Sequence, residues 1–237
     1  MDKNINEDYL NLVEFWNQSF SLSEEDKKQI LSQINPDEDY KQLAPSQKQY
    51  DAFDVFKNQK NVLDYGAGSG WASIIMIKKG VEKVTAVDVA KQSSSMINCY
   101  SEAFKIKEQI EVIHIDEKWL SEQKEATYDG FFCSNVIDVV PLEMAEDIIK
   151  NAAKVVKKDA PVLFSLNYYI DPQVMEQRGA LIKGQQIYLQ GVLRLTSLKD
   201  EEWLAIFNQY FDLINLSYFA WPNEPKETRR LFLLKKK

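Results

Sequence analysis

The residues best suited to chemistry in this 237-residue chain lie in one run, Asp64-Tyr-Gly66-Ala-Gly68-Ser-Gly70, with Trp71 immediately after it. Glycine admits backbone conformations that other residues avoid and leaves no Cβ between the chain and a ligand. The chain holds only 8 glycines, so three in so short a stretch mark a place where backbone meets something. A helix beginning at Trp71 would aim free amides and its positive dipole end at that place. Two acids stand further along, Asp88 and Asp116, each closing a β-rich run. An acid about 20 residues beyond the glycines can accept from both ribose hydroxyls of a nucleoside. A dinucleotide fingerprint would need a third glycine at position 71, which is tryptophan, and a phosphate-loop Lys-Ser/Thr pair is missing. These residues suit a nucleoside without a pyrophosphate.

The elements that must hold them read as an alternation from about residue 60. Apolar β-rich runs occur at 61–65, 83–88, 110–116, 128–135 and 161–166, with helical patterns at 71–79, 91–107, 142–157 and 200–210. Gly80 is placed to stop the first of these helices, and Pro141 to start the third. Strands separated by helices imply parallel pairing with right-handed crossovers. Two last runs, 211–219 and 230–234, are joined by Trp221-Pro-Asn-Glu-Pro225 without a helix, which predicts an antiparallel hairpin. The expected fold is α/β: a doubly wound, Rossmann-like, seven-stranded and mostly parallel sheet. Residues 1–57 are helical in pattern and aromatic-rich, and are expected to form a helical layer on the domain of residues 58–237. The irregular stretch 170–197 is expected to be an insertion beside an acceptor pocket.

The run Val-Leu-Asp-Tyr-Gly-Ala-Gly-Ser-Gly resembles the first motif of the class I S-adenosylmethionine-dependent methyltransferases. Val-Thr-Ala-Val-Asp88 resembles the second, and Tyr-Asp-Gly-Phe-Phe-Cys-Ser-Asn-Val-Ile-Asp-Val-Val-Pro141 the strand-four motif. The motifs span residues 60–167 in family order. The resemblance implies S-adenosyl-L-methionine as cofactor and direct in-line methyl transfer. It implies that Asp64 and the backbone of Gly66 and Gly68 hold the amino-acid end, that Asp88 takes the ribose diol, and that Val89 packs on adenine. Asp116, with Glu117 beside it, would meet the adenine amino group, and Ser134, Asn135 and Val136 would line the region of the methyl. Each acid has a structural alternative: Asp64 and Asp116 as turn or helix caps, Asp88 as a strand-end acid.

The acceptor half is less defined. Asn135, Asp138 and Tyr168 are candidates for a base or acceptor contact, with Asn167 and Tyr169 beside them, and Asp138 equally suits a cap before Pro141. Arg178 or Arg194 could meet an acidic acceptor or form surface ion pairs, and Trp16 and Tyr40 could wall the site. The single histidine, His114, reads as structural. Cys99 and Cys133 lack metal-ligand spacing and read as core, and no metal site is expected. A formal charge of −7 does not attract phosphate backbones. With no Asn/Asp-Pro-Pro-Tyr run, it favours a small-molecule acceptor over nucleic acid or protein; a non-catalytic cofactor-binding scaffold or sensor is a further alternative. No stretch approaches a membrane span or a secretory leader, so a cytoplasmic location is expected. The Lys235–Lys237 run reads as a solvated tail.

Overall fold

The computed structural model describes residues 3–237, with side chains from Tyr9 onward. Three helices precede the first strand: α1 (Lys3–Ser19), α2 (Glu24–Gln33) and α3 (Gln47–Ala52), the last running into a 3-10 turn at Phe53–Phe56. α2 starts in a capping box, Ser23 Oγ accepting from Asp26 N at 3.1 Å and Asp26 Oδ2 from Ser23 N at 3.0 Å. Two amide donors of the helix start are thereby satisfied. The alternation then runs β1 (Asn61–Tyr65), α4 (Trp71–Lys78), β2 (Lys83–Asp88), α5 (Lys91–Ala103), β3 (Ile110–His114), α6 (Trp119–Glu122), β4 (Gly130–Ser134), α7 (Leu142–Val155) and β5 (Pro161–Leu166). After it come α8 (Pro172–Gln177), β6 (Leu181–Lys183), β7 (Gln186–Leu189), β8 (Val192–Thr196), α9 (Asp200–Phe207), β9 (Phe211–Phe219) and β10 (Arg229–Lys236).

Seven strands form one sheet in the order β3-β2-β1-β4-β5-β10-β9. The first five are parallel, and β10 lies antiparallel between β5 and β9. The expected sheet and terminal hairpin are therefore present. Strand order reverses between β1 and β4, so the loops after these two strands part and leave a crevice at their carboxyl ends. Lys235 and Lys236 belong to β10, which corrects their reading as a solvated tail.

Alternation along each strand divides the core between two faces. Leu63, Tyr65, Phe131 and Phe164 face α7 and α9, whereas Val62, Val84, Ala86 and Phe132 face α4 and the Phe53–Phe56 turn. α4 is buried from Ala72 to Ile77 on every side, as expected of a helix without a polar face. It stops at Gly80 (φ +102°), where Gly80 N donates to Ile77 O at 3.0 Å and Val81 N to Met76 O at 3.0 Å, a Schellman closure.

The turn before β1 is fitted to β4 through Gly130, since a Cβ there would lie 2.7 Å from Phe56 Cδ1. Gly130→Ala is expected to displace the Phe56 ring and cost about 1–3 kcal/mol of stability. Chemical denaturation of the variant checks this, and an unchanged midpoint would show that the ring gives way freely.

The stretch 170–197 is more regular than its sequence suggests. β6, β7 and β8 form a separate antiparallel meander. Its turns sit at Gly184 (φ +60°) and at Gln190-Gly191 (φ +54° and +77°), the positive-φ positions that two-residue hairpins require. β8 ends against the main domain, where Thr196 N donates to Asp138 O at 2.7 Å and Thr196 Oγ1 to Val140 O at 2.5 Å.

Candidate functional site

The loop after β1 is held from several sides. Gly66, Gly68 and Gly70 all have positive φ, at +72°, +54° and +81°. Gly66 N and Ala67 N donate to Val87 O at 2.9 and 3.0 Å, which ties the loop to β2. Gly68 is gripped at both its backbone polar groups: its N donates to Asp88 Oδ2 at 2.8 Å, and its carbonyl accepts from Ser93 Oγ at 2.5 Å. Asp88 Oδ1 accepts from Ala90 N at 2.7 Å. A Cβ on Gly66 would stand 2.2 Å from Val136 Cγ2, and one on Gly68 3.0 Å from Phe20 Cζ. The backbone is therefore packed closely between the strand-four loop and α1.

Above this loop lies a cavity of about 590 Å³, within the range of small-ligand sites. Its floor is the loop, with Asp64, Gly66 and Gly68 among its residues. One wall brings Asp88, Val89, Ile115 and Glu117 from the ends of β2 and β3, and another brings Ser134, Asn135 and Val136 from the end of β4. The cavity continues along α6 and α7 to Leu120, Met144 and Asn151. α1 covers it with Tyr9, Leu12 and Trp16, Phe20 adds to the cover from the turn after α1, and Trp221 reaches it from the β9–β10 loop. Trp71 also borders it, packed edge-on against Phe53 and Phe132.

Ten residues stood as cofactor-site candidates, and nine of them line this one cavity: Asp64, Gly66, Gly68, Asp88, Val89, Glu117, Ser134, Asn135 and Val136. Asp116 is exposed and outside the lining, and its Oδ1 accepts from Lys118 N at 3.0 Å and Trp119 N at 2.9 Å, capping α6. Of the three residues weighed for the acceptor, only Asn135 is at the cavity. Its backbone has φ +53°, and its Oδ1 is buried without a partner among the described residues. Asp138 is fully buried elsewhere, with Oδ2 accepting from Asn167 N at 2.6 Å and Nδ2 at 2.9 Å. Burial raises its carboxyl above the ordinary range. Tyr168 borders a second, smaller cavity with Tyr169, Asp200, Tyr218 and Arg230.

Other expectations also move. Trp16 walls the cavity, but Tyr40 does not: it packs on Tyr50 with ring centroids 6.5 Å apart. No residue of 170–197 borders the cavity; the meander meets α1 instead, with the Arg194 guanidinium 4.3 Å from the Phe15 ring centroid. Arg178 is exposed. His114 Nε2 lies 3.2 Å from Val89 O. The aromatic-rich segment 1–57 suits a cover for a ligand pocket, but sequence reasoning did not single out Tyr9, Leu12 and Phe20 as cavity residues, although with Trp16 they recur at helical spacing along α1 and one residue past its end. It also missed Ser73 and Ser93, which hold the loop from within α4 and α5.

Two buried acids share the site. Asp64 Oδ2 accepts from Ser73 Oγ at 2.6 Å. Burial, aided by the negative charge of Asp88 and opposed by the Ser73 hydrogen bond, pushes Asp64 up to about 7. Burial likewise raises Asp88, against the lowering effect of its backbone donors. Tyr9 is buried nearby, and burial together with the charges of Glu117, Asp116 and Asp88 holds its hydroxyl above the ordinary range. The Tyr9 hydroxyl thus lies within the influence of Asp88, Asp116 and Glu117.

The Asp64 shift sets a pH dependence. Unfolded, Asp64 loses its proton near 3.8; folded, near 7. Between these values the folded state binds more protons, so stability falls as pH rises through that window. A shift of this size corresponds to ~4 kcal/mol. Wild type is expected to lose stability relative to Asp64→Asn between pH 4 and 7, with the difference level above that. Denaturant midpoints of both proteins across this range check the sign; a constant offset would refute it.

Residues 62–159 match the protein family described as a methyltransferase domain. The ubiquinone biosynthesis O-methyltransferase of Neisseria meningitidis serogroup A is 30% identical over 107 residues, which are 45% of this chain and 43% of that protein. The chain thus spans less than half the length of this curated relative. Among solved structures, the Burkholderia thailandensis 1,6-didemethyltoxoflavin-N1-methyltransferase, with bound 1,6-didemethyltoxoflavin and S-adenosylhomocysteine, superposes with a TM-score of 0.65 at 14% identity. It covers 84% of this chain and 81% of its own. The N-methyltransferase NodS of Bradyrhizobium japonicum, in complex with S-adenosylhomocysteine, gives 0.59 at 12% identity, over 90% of this chain and 97% of that one. Sheet order and glycine loop agree with these likenesses: residues 62–159 are similar to a methyltransferase domain, and the chain shares the fold of the solved methyltransferases.

Proposed function

We propose that the chain transfers a methyl group from S-adenosylmethionine to a small-molecule acceptor. The observation that carries this reading is the convergence of the glycine loop, Asp88 and the Ser134–Val136 segment on one cavity. The residues fit the cofactor: the loop brings bare backbone to the crevice, acids close β2 and follow β3, and Asn135 offers an acceptor atom that nothing else uses.

Bound S-adenosylmethionine supplies an activated methyl group, so the protein needs no covalent nucleophile. Its work is alignment and exclusion of water, which can carry a large part of a rate enhancement. In this reading Gly66 and Gly68 present backbone to the amino-acid end, with Asp64 beneath them. Asp88 receives the ribose diol on carboxylate lone pairs not used by Gly68 N and Ala90 N. Val89 packs on adenine, and Glu117, which lines the cavity, is better placed than the helix-capping Asp116 for its amino group. Asn135 orients the reacting region, and the α1 stripe of Tyr9, Trp16 and Phe20 keeps water out. Asp138 and Tyr168, away from the cavity, act as scaffold. The apolar enclosure and the net charge of −7 favour a small molecule over a nucleic-acid acceptor. No described helix is long and apolar enough to cross a membrane.

Calorimetry with S-adenosylmethionine and S-adenosylhomocysteine tests the donor half, and methyl release against a metabolite collection tests the acceptor half. Saturable binding of both nucleosides followed by turnover on one metabolite is the expected result. Absence of binding would overturn the reading; binding with no turnover on any substrate would leave a cofactor-binding scaffold.

A further inference from the structure

The cavity carries charge of one sign. Among the described residues lining it, Asp64, Asp88, Glu117, Glu143 and Asp147 bear carboxylates, and no lysine, arginine or histidine is present. The first three stand around the glycine loop. Glu143 and Asp147 are apart from them, four residues from each other on α7 and hence on one face. Neither is in an ion pair among the described residues. Guanidiniums close to the cavity are engaged elsewhere. Arg229 stacks on the cavity residue Trp221 at 3.6 Å but pairs with Glu224 at 2.7 Å, and Arg194 stands over Phe15.

Two further features point to the kind of ligand that enters. Trp16 and Trp221 bring large aromatic side chains to the cavity, surfaces that receive flat apolar bodies and also cations. Asn135 Oδ1 is a buried acceptor atom without a donor, and such an atom is costly to leave unpaired.

From these observations we infer that the acceptor is a neutral or positively charged molecule with an aromatic or otherwise apolar body and a hydrogen-bond donor, and that anionic acceptors are refused. A cleft lined by one sign of charge between low-dielectric walls focuses the potential and concentrates ligands of the opposite sign. An acceptor's carboxylate or phosphate entering beside Glu143 and Asp147, away from the amides of the glycine loop, would lose hydration and find no cation to replace it. This inference rests on the methyl-transfer reading of the same cavity.

The test uses the 237-residue chain saturated with S-adenosylhomocysteine and three indoles matched in ring and differing at the end of the side chain. These are tryptamine, 3-ethylindole and indole-3-propionate, titrated by calorimetry at low ionic strength. Tryptamine and 3-ethylindole are expected to bind, and indole-3-propionate at least ten-fold more weakly than tryptamine. In Glu143→Gln/Asp147→Asn, both positions being exposed, the gap between tryptamine and indole-3-propionate should shrink to under three-fold. Equal or better binding of the carboxylate, binding of none of the three, or a gap untouched by the double substitution would each overturn the inference. Failure of S-adenosylhomocysteine itself to bind would overturn the methyl-transfer reading as well, so the two failures are distinguishable.

Discussion

Asp88→Ala is expected to weaken S-adenosylmethionine binding by at least about 100-fold, equivalent to ~2.7 kcal/mol. The carboxylate does two jobs. It accepts from Gly68 N and Ala90 N, so it sets the curvature of the loop on which the proposed cofactor would rest. It also stands at the end of β2 facing the cavity, where a ribose diol would offer two more donors. Truncation leaves two amides without their acceptor, at about 1–3 kcal/mol for each one that water does not reach, and removes the diol contact outright. Asp88→Asn separates the two roles. Its carbonyl oxygen retains one backbone bond while its amide nitrogen cannot accept, so it should keep more of the fold than of the binding. Calorimetry paired with thermal unfolding measures both. A folded Asp88→Ala protein that binds within three-fold of wild type would remove Asp88 from the cofactor site.

Gly66→Ala should be the most destabilising single-methyl change in the loop. Its φ of +72° lies where any residue with a Cβ is penalised, by roughly 1–2 kcal/mol. The added methyl would also sit 2.2 Å from Val136 Cγ2, an overlap of the kind that costs about 1–3 kcal/mol. Together these amount to roughly 2–5 kcal/mol, set against a typical total stability of about 5–15 kcal/mol. Gly184→Ala is the internal control: its φ is +60°, and no atom lies within 4 Å of the new Cβ, so only the conformational part should appear. Adding Val136→Ala to Gly66→Ala should recover the overlap part and leave the conformational part. Equal losses at Gly66 and Gly184, read from denaturant midpoints, would refute the close contact between the glycine loop and the strand-four segment.

The Gly66–Val136 contact also shows where sequence reading works and where it stops. Glycine spacing, the strand before it and the helix after it are local, so a pattern of residue types suffices to place the loop and the acid closing the next strand. The same holds for the sheet, because apolar β-rich runs separated by helices have few topologies open to them. The 170–197 meander was legible in principle: Gly184 and the Gln190-Gly191 pair are hairpin signals, set between short runs whose alternation is weak. Asp116 was open to either reading because a strand-end acid two or three residues before a helix can cap that helix or face the crevice. Backbone amides of Lys118 and Trp119 claim one of its oxygens. Asp138 was ambiguous for a similar reason; its carboxylate is turned to Asn167 rather than to the cavity.

By itself the sequence determined the donor side of this protein. Three glycines, a tryptophan where a dinucleotide fingerprint needs its third glycine, and an acid at the end of the next strand mark out a crevice suited to a nucleoside through local geometry alone. What covers that crevice was decided only by tertiary structure. Tyr9, Trp16 and Phe20 reach the loop because α1 docks across the strand ends, and Trp221 reaches it because β10 inserts between β5 and β9. These contacts join residues far apart in the chain, and their geometry depends on how whole helices and hairpins pack. The acidic face of α7, with Glu143 and Asp147, becomes part of the same cavity for the same reason.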